Sequence, residues 1–217
     1  MYLSRLHLNP RSKQAANDLR SAYSFHQSIR WAFEGAGETP GPLPAGERLL
    51  WRNDAEQGLL VQSQTRPRWE ALDERWPDYF QDAQVKTFDL SGLSDGQSFL
   101  FRLRANVTVS RWRDGQNRDE DTRTKREALR GAREQLDWLD RQGERGGFSV
   151  VGADIVQSGN VRLYKKFGGP PMTLFAVTFE GLLVAEDPAR LAQTVSDGIG
   201  KGKALGFGLL SLRRSGS

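Results

Sequence analysis

Cysteine is absent from the 217 residues, and histidine occurs only twice, at His7 and His26. The first absence removes disulfides, thiolate nucleophiles and cysteine-based zinc sites. The second leaves any imidazole chemistry to two side chains. No run of about 18 apolar residues occurs, which argues against a membrane span. The opening MYLSRLHL lacks the apolar core and cleavage region of a secretion signal. These absences predict a cytoplasmic protein with no redox role, no cofactor and no metal. Acids are also missing locally: 157–171 and 201–217 contain none, although the whole chain balances 31 Lys and Arg against 27 Asp and Glu.

What is present centres on SAYSFHQSIRWAF, Ser21 to Phe33. The Ser21 hydroxyl can accept an orphan amide proton of a helix's first turn. Ala22, Phe25, Ile29, Ala32 and Phe33 then recur on one side at helical spacing. Tyr23, His26 and Arg30 fall together on the other side, predicting an exposed stripe with a phenol, an imidazole and a guanidinium. Such a stripe can do acid/base work on a phosphate ester. An ordinary solvated helix face would carry similar residues. His7, inside the first apolar alternation, fits a structural role equally well.

In order along the chain, Tyr2–Leu8 reads as a strand and residues 12–19 as a helix that bends into the one at Ser21. Gly35 to Gly46 reads as a surface loop. Residues 47–52 and 58–64 read as a strand pair, residues 66–76 as a short helix at most, and 84–90 as a strand. That order, β-α-β-β-α-β, is ferredoxin-like. Residues 91–97 (SGLSDGQ) form the expected connector, giving an N-terminal unit 1–92 and a C-terminal unit 97–217. The second unit reads as a strand at 99–109, a helix at 125–139 ended by Gly143, Gly146 and Gly147, and strands at 148–159 and 160–167. A strand at 172–184, a helix at 188–198 and a last strand at 208–212 complete it. The expected class is α+β, with two tandem ferredoxin-like (RRM-like) units, the second modified.

Positive charge gathers in the second unit. Residues 102–133 carry ten basic residues against five acids. Arg111, Arg113, Arg162, Lys165 and Lys166 are candidate phosphate contacts there, as is Arg30 in the first unit. Phe99, Phe101, Trp112, Tyr164 and Phe167 interleave with this charge, and aromatic rings beside cations can stack unpaired bases. Phe99 and Phe101 fit the core better. Near the end, GIGKGKALGFGLLSL presents Gly198, Gly200, Lys201, Gly202 and Lys203, whose amides and ammonium groups could cradle phosphate. It is not a nucleotide P-loop, because Ala204 follows Lys203 where a Ser or Thr would ligate magnesium.

MYLSRLHLNP, the Tyr23-x-x-His26 pair, FRLRAN at 101–106, LDWL at 136–139 and the glycine-rich end resemble, in order and spacing, the Cas6e (Cse3/CasE) family of CRISPR RNA-processing endoribonucleases. The resemblance implies two ferredoxin-like domains, catalytic Tyr23 and His26, and a glycine-rich loop at Gly198–Gly208. It also implies a basic hairpin-binding surface in the second domain. The partners it implies are the repeat stem-loop of precursor CRISPR RNA and the other subunits of the type I-E Cascade complex. The isolated chain is expected to be monomeric and to touch no membrane.

Ribonuclease chemistry by this chain needs a 2′-hydroxyl deprotonated and aligned, a leaving 5′-oxygen protonated, and phosphate charge stabilised. The acids form no motif near His26 that would hold ions. The expectation is therefore metal-independent transesterification to a 2′,3′-cyclic phosphate and a 5′-hydroxyl. His26, with an ordinary pKa of about 6.5, fits acid or base, and either Tyr23 or His26 fits the base role. The rival readings are a non-catalytic RNA-binding subunit and a metabolic enzyme for a small phosphorylated molecule.

Overall fold

The computed structural model describes residues 1–33, 43–111, 125–164 and 171–215. Strand β1 (Tyr2–Leu8) spans the expected residues, with Ser4, Leu6 and Leu8 buried on one face. Helix α1 (Lys13–Arg20) stops at Ser21, whose extended backbone (φ −130°, ψ 102°) breaks the axis before α2 (Ala22–Ile29) begins. A single 3-10 turn, Arg30–Ala32, ends the segment. Strands β2 (Leu50–Asn53) and β3 (Leu59–Ser63) pair antiparallel. Helix α3 (Glu70–Arg75) precedes β4 (Phe80–Thr87), which lies earlier than the expected 84–90.

The four strands order as β2-β3-β1-β4, with every neighbour antiparallel. This is the ferredoxin-like arrangement, in which the outer strands flank a central β3-β1 pair. The helices cover the face bearing Leu6 and Leu8, where Phe25, Ile29, Trp51, Val61, Trp69, Leu72 and Tyr79 close the first core. Each fully buried leucine there contributes roughly 1.5–3 kcal/mol.

The second sheet repeats the order. Its strands are β5 (Ser98–Asn106), β8 (Phe148–Leu163), β9 (Met172–Ala185) and β10 (Leu210–Arg214), arranged β10-β5-β9-β8 and again antiparallel. Helices α4 (Ala132–Gly146) and α5 (Pro188–Asp197) cover it around Phe99, Phe101, Leu103, Trp138, Phe179 and Leu191. The modification is an inserted hairpin, β6 (Thr108–Arg111) with β7 (Lys125–Ala128), between β5 and α4.

That hairpin corrects the reading of 125–139 as continuous helix. Lys125–Ala128 pairs with β6, and the helix starts only after Gly131, whose N–H donates to the Glu134 carboxylate at 3.3 Å. Gly143 does not end α4 either, whereas Gly146 is its last residue. Phe148 packs against both, and a Cβ at Gly143 would sit 2.6 Å from the Phe148 carbonyl oxygen. Gly147, at φ +77°, is the true terminator. The two strands read at 148–159 and 160–167 are one strand, β8, since β9 pairs with it straight through Gly159 and Asn160. Register shifts between Val150 and Gly152, and between Ile155 and Gln157, let it bend without breaking.

Arg52 joins the two sheets. Its guanidinium forks onto Asp54 at 2.7 and 2.9 Å, and also donates to the Arg102 and Leu209 carbonyls at 2.9 and 3.2 Å. It belongs to β2, whereas those carbonyls belong to β5 and to the approach to β10. Gln62 on β3 adds a buried bond to the Val195 carbonyl on α5 at 2.8 Å.

Candidate active site

Helix α2 is held on three sides before it presents any chemistry. At its start the Ser21 hydroxyl accepts the Ser24 N–H at 3.2 Å, the predicted cap. Behind it, Phe25 and Ile29 are buried, and the Phe25 ring meets Trp51 edge-on at 4.7 Å. On its flank, Ser24 donates to Asp18 Oδ1 at 2.5 Å, and Gln14 bridges Asp18 and Ser28 at 3.0 and 3.2 Å. The Tyr79 hydroxyl completes the set on Asp18 Oδ2 at 2.6 Å. Burial raises Asp18 above the ordinary carboxyl value, and its hydrogen bonds from Ser24, Tyr79, Ser28 and Gln14 pull the other way.

The remaining face carries Tyr23, His26 and Arg30, but it is not the uniformly exposed stripe the spacing predicts. Tyr23 is 39% exposed, whereas His26 is largely covered and its Nδ1 is buried without a hydrogen-bond partner. Burial, and secondarily the Arg30 charge one turn on, push His26 down to about 4. The imidazole is therefore neutral at pH 7, without the charged fraction of about a quarter that an ordinary value of about 6.5 would leave. Arg30 donates to Gln27 Oε1 at 3.3 Å.

The glycine-rich end lies against this helix. The 3-10 turn Lys203–Leu205 contacts α2. Ala22 shares a small apolar cluster with Phe207, Leu163 and Ala176. The loop is closed by the Ile199 N–H donating to the Gly208 carbonyl, and is tied to β5 by the Gly208 N–H donating to the Arg104 carbonyl, both at 2.8 Å. Lys201 bridges Asn106 at the end of β5. Gly206 is required for the fit: it adopts φ +83°, and a Cβ there would sit 2.9 Å from the Trp51 ring. Trp51 is thus wedged between α2 and the loop. Burial lowers Lys203, opposed by Asp197 and reinforced by Arg48 and Lys201.

Of the sequence candidates, the structure places Tyr23 and His26 on α2, Arg30 on the turn that ends it, and Gly198, Gly200, Lys201, Gly202 and Lys203 on the loop beside it. Arg162 is exposed near the end of β8, which reaches α2 where the Ser21 hydroxyl meets the Tyr164 carbonyl at 3.5 Å. Arg111 ends β6 on the separate two-stranded sheet, paired with Lys125. Arg113, Lys165 and Lys166, with Trp112 and Phe167, lie outside the described residues. Phe99 and Phe101 are core. Sequence reasoning misses Asp18, Tyr79, Trp51 and Arg52. Only Asp18, an acid midway along an amphipathic helix, carries a local signal.

A family model described as CRISPR associated protein matches residues 1–214. The chain is 36% identical over 227 residues to CRISPR-associated endoribonuclease Cse3 of Thermus thermophilus, covering 98% of this chain and 99% of that protein. The chain belongs to the Cse3 (Cas6e) family of CRISPR-associated proteins. Thermus thermophilus Cse3 bound to an RNA representing a pre-cleavage complex superposes with a TM-score of 0.80 at 35% identity, over 98% of each chain. A chain of a CRISPR RNA-guided surveillance complex in a pre-nicking state superposes at 0.70 with 26% identity, over 99% of this chain and 100% of that one. The tandem ferredoxin-like architecture is therefore the family's. Among the described residues no helix is long and apolar enough to cross a membrane, and no three His, Asp or Glu side chains converge as a metal site would require.

Proposed function

We propose that this Cse3-family chain is an endoribonuclease that cuts precursor CRISPR RNA at the base of the repeat stem-loop. In this reading it uses the RNA's own 2′-hydroxyl, needs no metal, and keeps the product hairpin as a Cascade subunit. Residues 1–92 carry the chemistry, and residues 97–217 supply most of the RNA surface. The observation that carries the reading is a neutral His26 beside an exposed Tyr23, on a helix lined by a lysine-bearing glycine loop.

A desolvated neutral imidazole is a proton acceptor at pH 7, so His26 takes the 2′-hydroxyl proton as that oxygen attacks phosphorus. The Tyr23 hydroxyl, one turn earlier, hydrogen-bonds the reacting phosphate and helps hold the in-line geometry. Arg30, Lys201 and Lys203 offset the charge that builds on the phosphoryl oxygens. The 5′-oxygen leaves with a proton from the imidazolium so formed or from solvent, giving a 2′,3′-cyclic phosphate and a 5′-hydroxyl. Arg111, Arg113, Arg162, Lys165 and Lys166 extend the cationic surface along the RNA. The pre-cleavage RNA complex of the Thermus relative supports the substrate class, and the surveillance-complex relative supports the assembly.

The test is incubation of the purified chain with an end-labelled repeat RNA, with and without EDTA. Cutting at the stem base in both, with cyclic-phosphate ends, is the expected result. Binding without cutting would favour a purely RNA-binding subunit, and chelator-sensitive cutting would overturn the mechanism.

A further inference from the structure

Among the described residues, two aromatic rings stand exposed, Tyr23 at 39% and Tyr164 at 42%. They belong to different halves of the chain, yet one contact joins their neighbourhoods. The Ser21 hydroxyl, which caps α2 two residues before Tyr23, lies 3.5 Å from the Tyr164 carbonyl oxygen. Tyr164 is not on a loose loop tip. Leu163, immediately before it, is buried against the cluster that includes Ala22 of α2, Ala176 of β9 and Phe207 of the glycine loop. The backbone is anchored while the ring faces solvent. Arg162, exposed two residues earlier, gives the same strand end positive charge.

An exposed tyrosine beside a cation, following a buried leucine at the edge of the proposed phosphate-handling site, has the composition of a stacking platform for an unpaired base. If the cut lies at the foot of a stem, the base on the stem side is already stacked in the duplex. The base on the other side has lost that neighbour and offers an open face. We propose that Tyr164 stacks on the first unpaired nucleotide beyond the cut, making it a specificity-determining residue that aligns the leaving strand. This rests on the function proposed above, and it adds a recognition subsite for single-stranded RNA on the side away from the retained hairpin.

The test uses the full chain and a repeat RNA that is 2′-deoxy at the cut nucleotide and carries 2-aminopurine as the first nucleotide beyond it. Wild type and Tyr164→Phe should quench the fluorophore on binding, and Tyr164→Ala should quench it several-fold less. All three should bind equally to a hairpin ending at the cut. In single-turnover cleavage of an all-ribose repeat, Tyr164→Ala should be slower by roughly tenfold. On a repeat abasic at that nucleotide it should match wild type. Quenching indifferent to Tyr164→Ala, or equal slowing on normal and abasic repeats, would overturn the proposal. A wild type that binds but never cuts would sink the nuclease reading instead, and Tyr164-dependent quenching would still stand.

Discussion

The Tyr79 hydroxyl donates to Asp18 Oδ2 at 2.6 Å, and neither residue lies on the helix that bears Tyr23 and His26. The pair nevertheless fixes that helix, because the other Asp18 oxygen takes the hydroxyl of Ser24 on α2. Asp18→Ala removes the acceptor of the buried Tyr79 hydroxyl and of the Ser24 hydroxyl, leaving Gln14 its bond to Ser28, and should cost about 2–4 kcal/mol in urea unfolding. Asp18→Asn keeps the shape and should cost less. The sign with pH follows from the raised folded value. The native state holds the Asp18 proton more tightly than the unfolded chain, so this group's contribution falls as pH rises from the ordinary carboxyl value of 3.8 through the folded one. The stability of wild type relative to Asp18→Asn should decline over that window; a rise would contradict the assignment.

His26 runs in the opposite direction. Its folded value, about 4, lies below the unfolded 6.5. Its contribution to stability is complete above about 6.5 and is lost as pH falls through about 4. In the free protein, the His26 ring should therefore hold constant NMR shifts between pH 8 and 5.5. The acid limb of kcat/KM, which reports the free enzyme, should fall near 4 rather than near 6.5. Arg30→Gln should move that limb up only part of the way, since burial is the larger cause. His26→Ala should abolish cutting while leaving hairpin affinity within a few-fold.

The glycine loop can be tested by salt. Each lost phosphate contact lowers the slope of log K against log salt by about 0.7–0.9. Replacing Lys201 and Lys203 together by Ala should reduce the slope by roughly 1–2 and weaken repeat binding. An unchanged slope would place the phosphates elsewhere.

What the sequence discloses about this fold divides by distance along the chain. β1 at Tyr2–Leu8, the break at Ser21 and the start of the last helix at residue 188 are local signals, and the structure matches them. β8 is misread because Gly159 looks like punctuation until β9 is seen beside it. β7 is misread because Lys125–Ala128 has helix-favouring residues, and only pairing with β6 makes it a strand. The covering of His26 has no local signature at all. The same holds for Trp51, which meets Phe25 and Gly206 from a strand remote from both. The chemistry-bearing residue types are readable, but the desolvation that sets their protonation is made by neighbours far away in sequence.

Gly206 offers a test of that wedge. Gly206→Ala combines an unfavourable φ of +83° with a Cβ 2.9 Å from the Trp51 ring. It should destabilise by roughly 1–3 kcal/mol, seen as a lower unfolding temperature. Because Trp51 also backs Phe25 of α2, cutting should fall more than hairpin binding does. Gly46→Ala also sits at positive φ, +81°, but meets nothing within 4 Å. It should show the backbone part of the penalty alone, with cutting unchanged.

The strongest test of how the two sheets are joined is Arg52. The residue is 3% exposed, and its guanidinium forks onto Asp54 and reaches two carbonyls and the Ser211 hydroxyl across the junction. Arg52→Ala would leave Asp54 with Arg102 at 3.6 Å as its remaining close cation, and would open space beneath β10. A loss of about 3–5 kcal/mol is expected, because the largely buried Asp54 carboxylate is left with the longer Arg102 contact and two carbonyls at the junction lose their donor. Arg52→Met with Asp54→Leu removes both charges, so it should recover part of that loss while leaving the two carbonyls without their donor. The double variant should therefore fall between wild type and Arg52→Ala in denaturant midpoint. If Arg52→Ala unfolds at the wild-type midpoint, the guanidinium does not hold the sheets together, and Gln62 with the apolar cluster of Ala22, Leu163, Ala176 and Phe207 must do so.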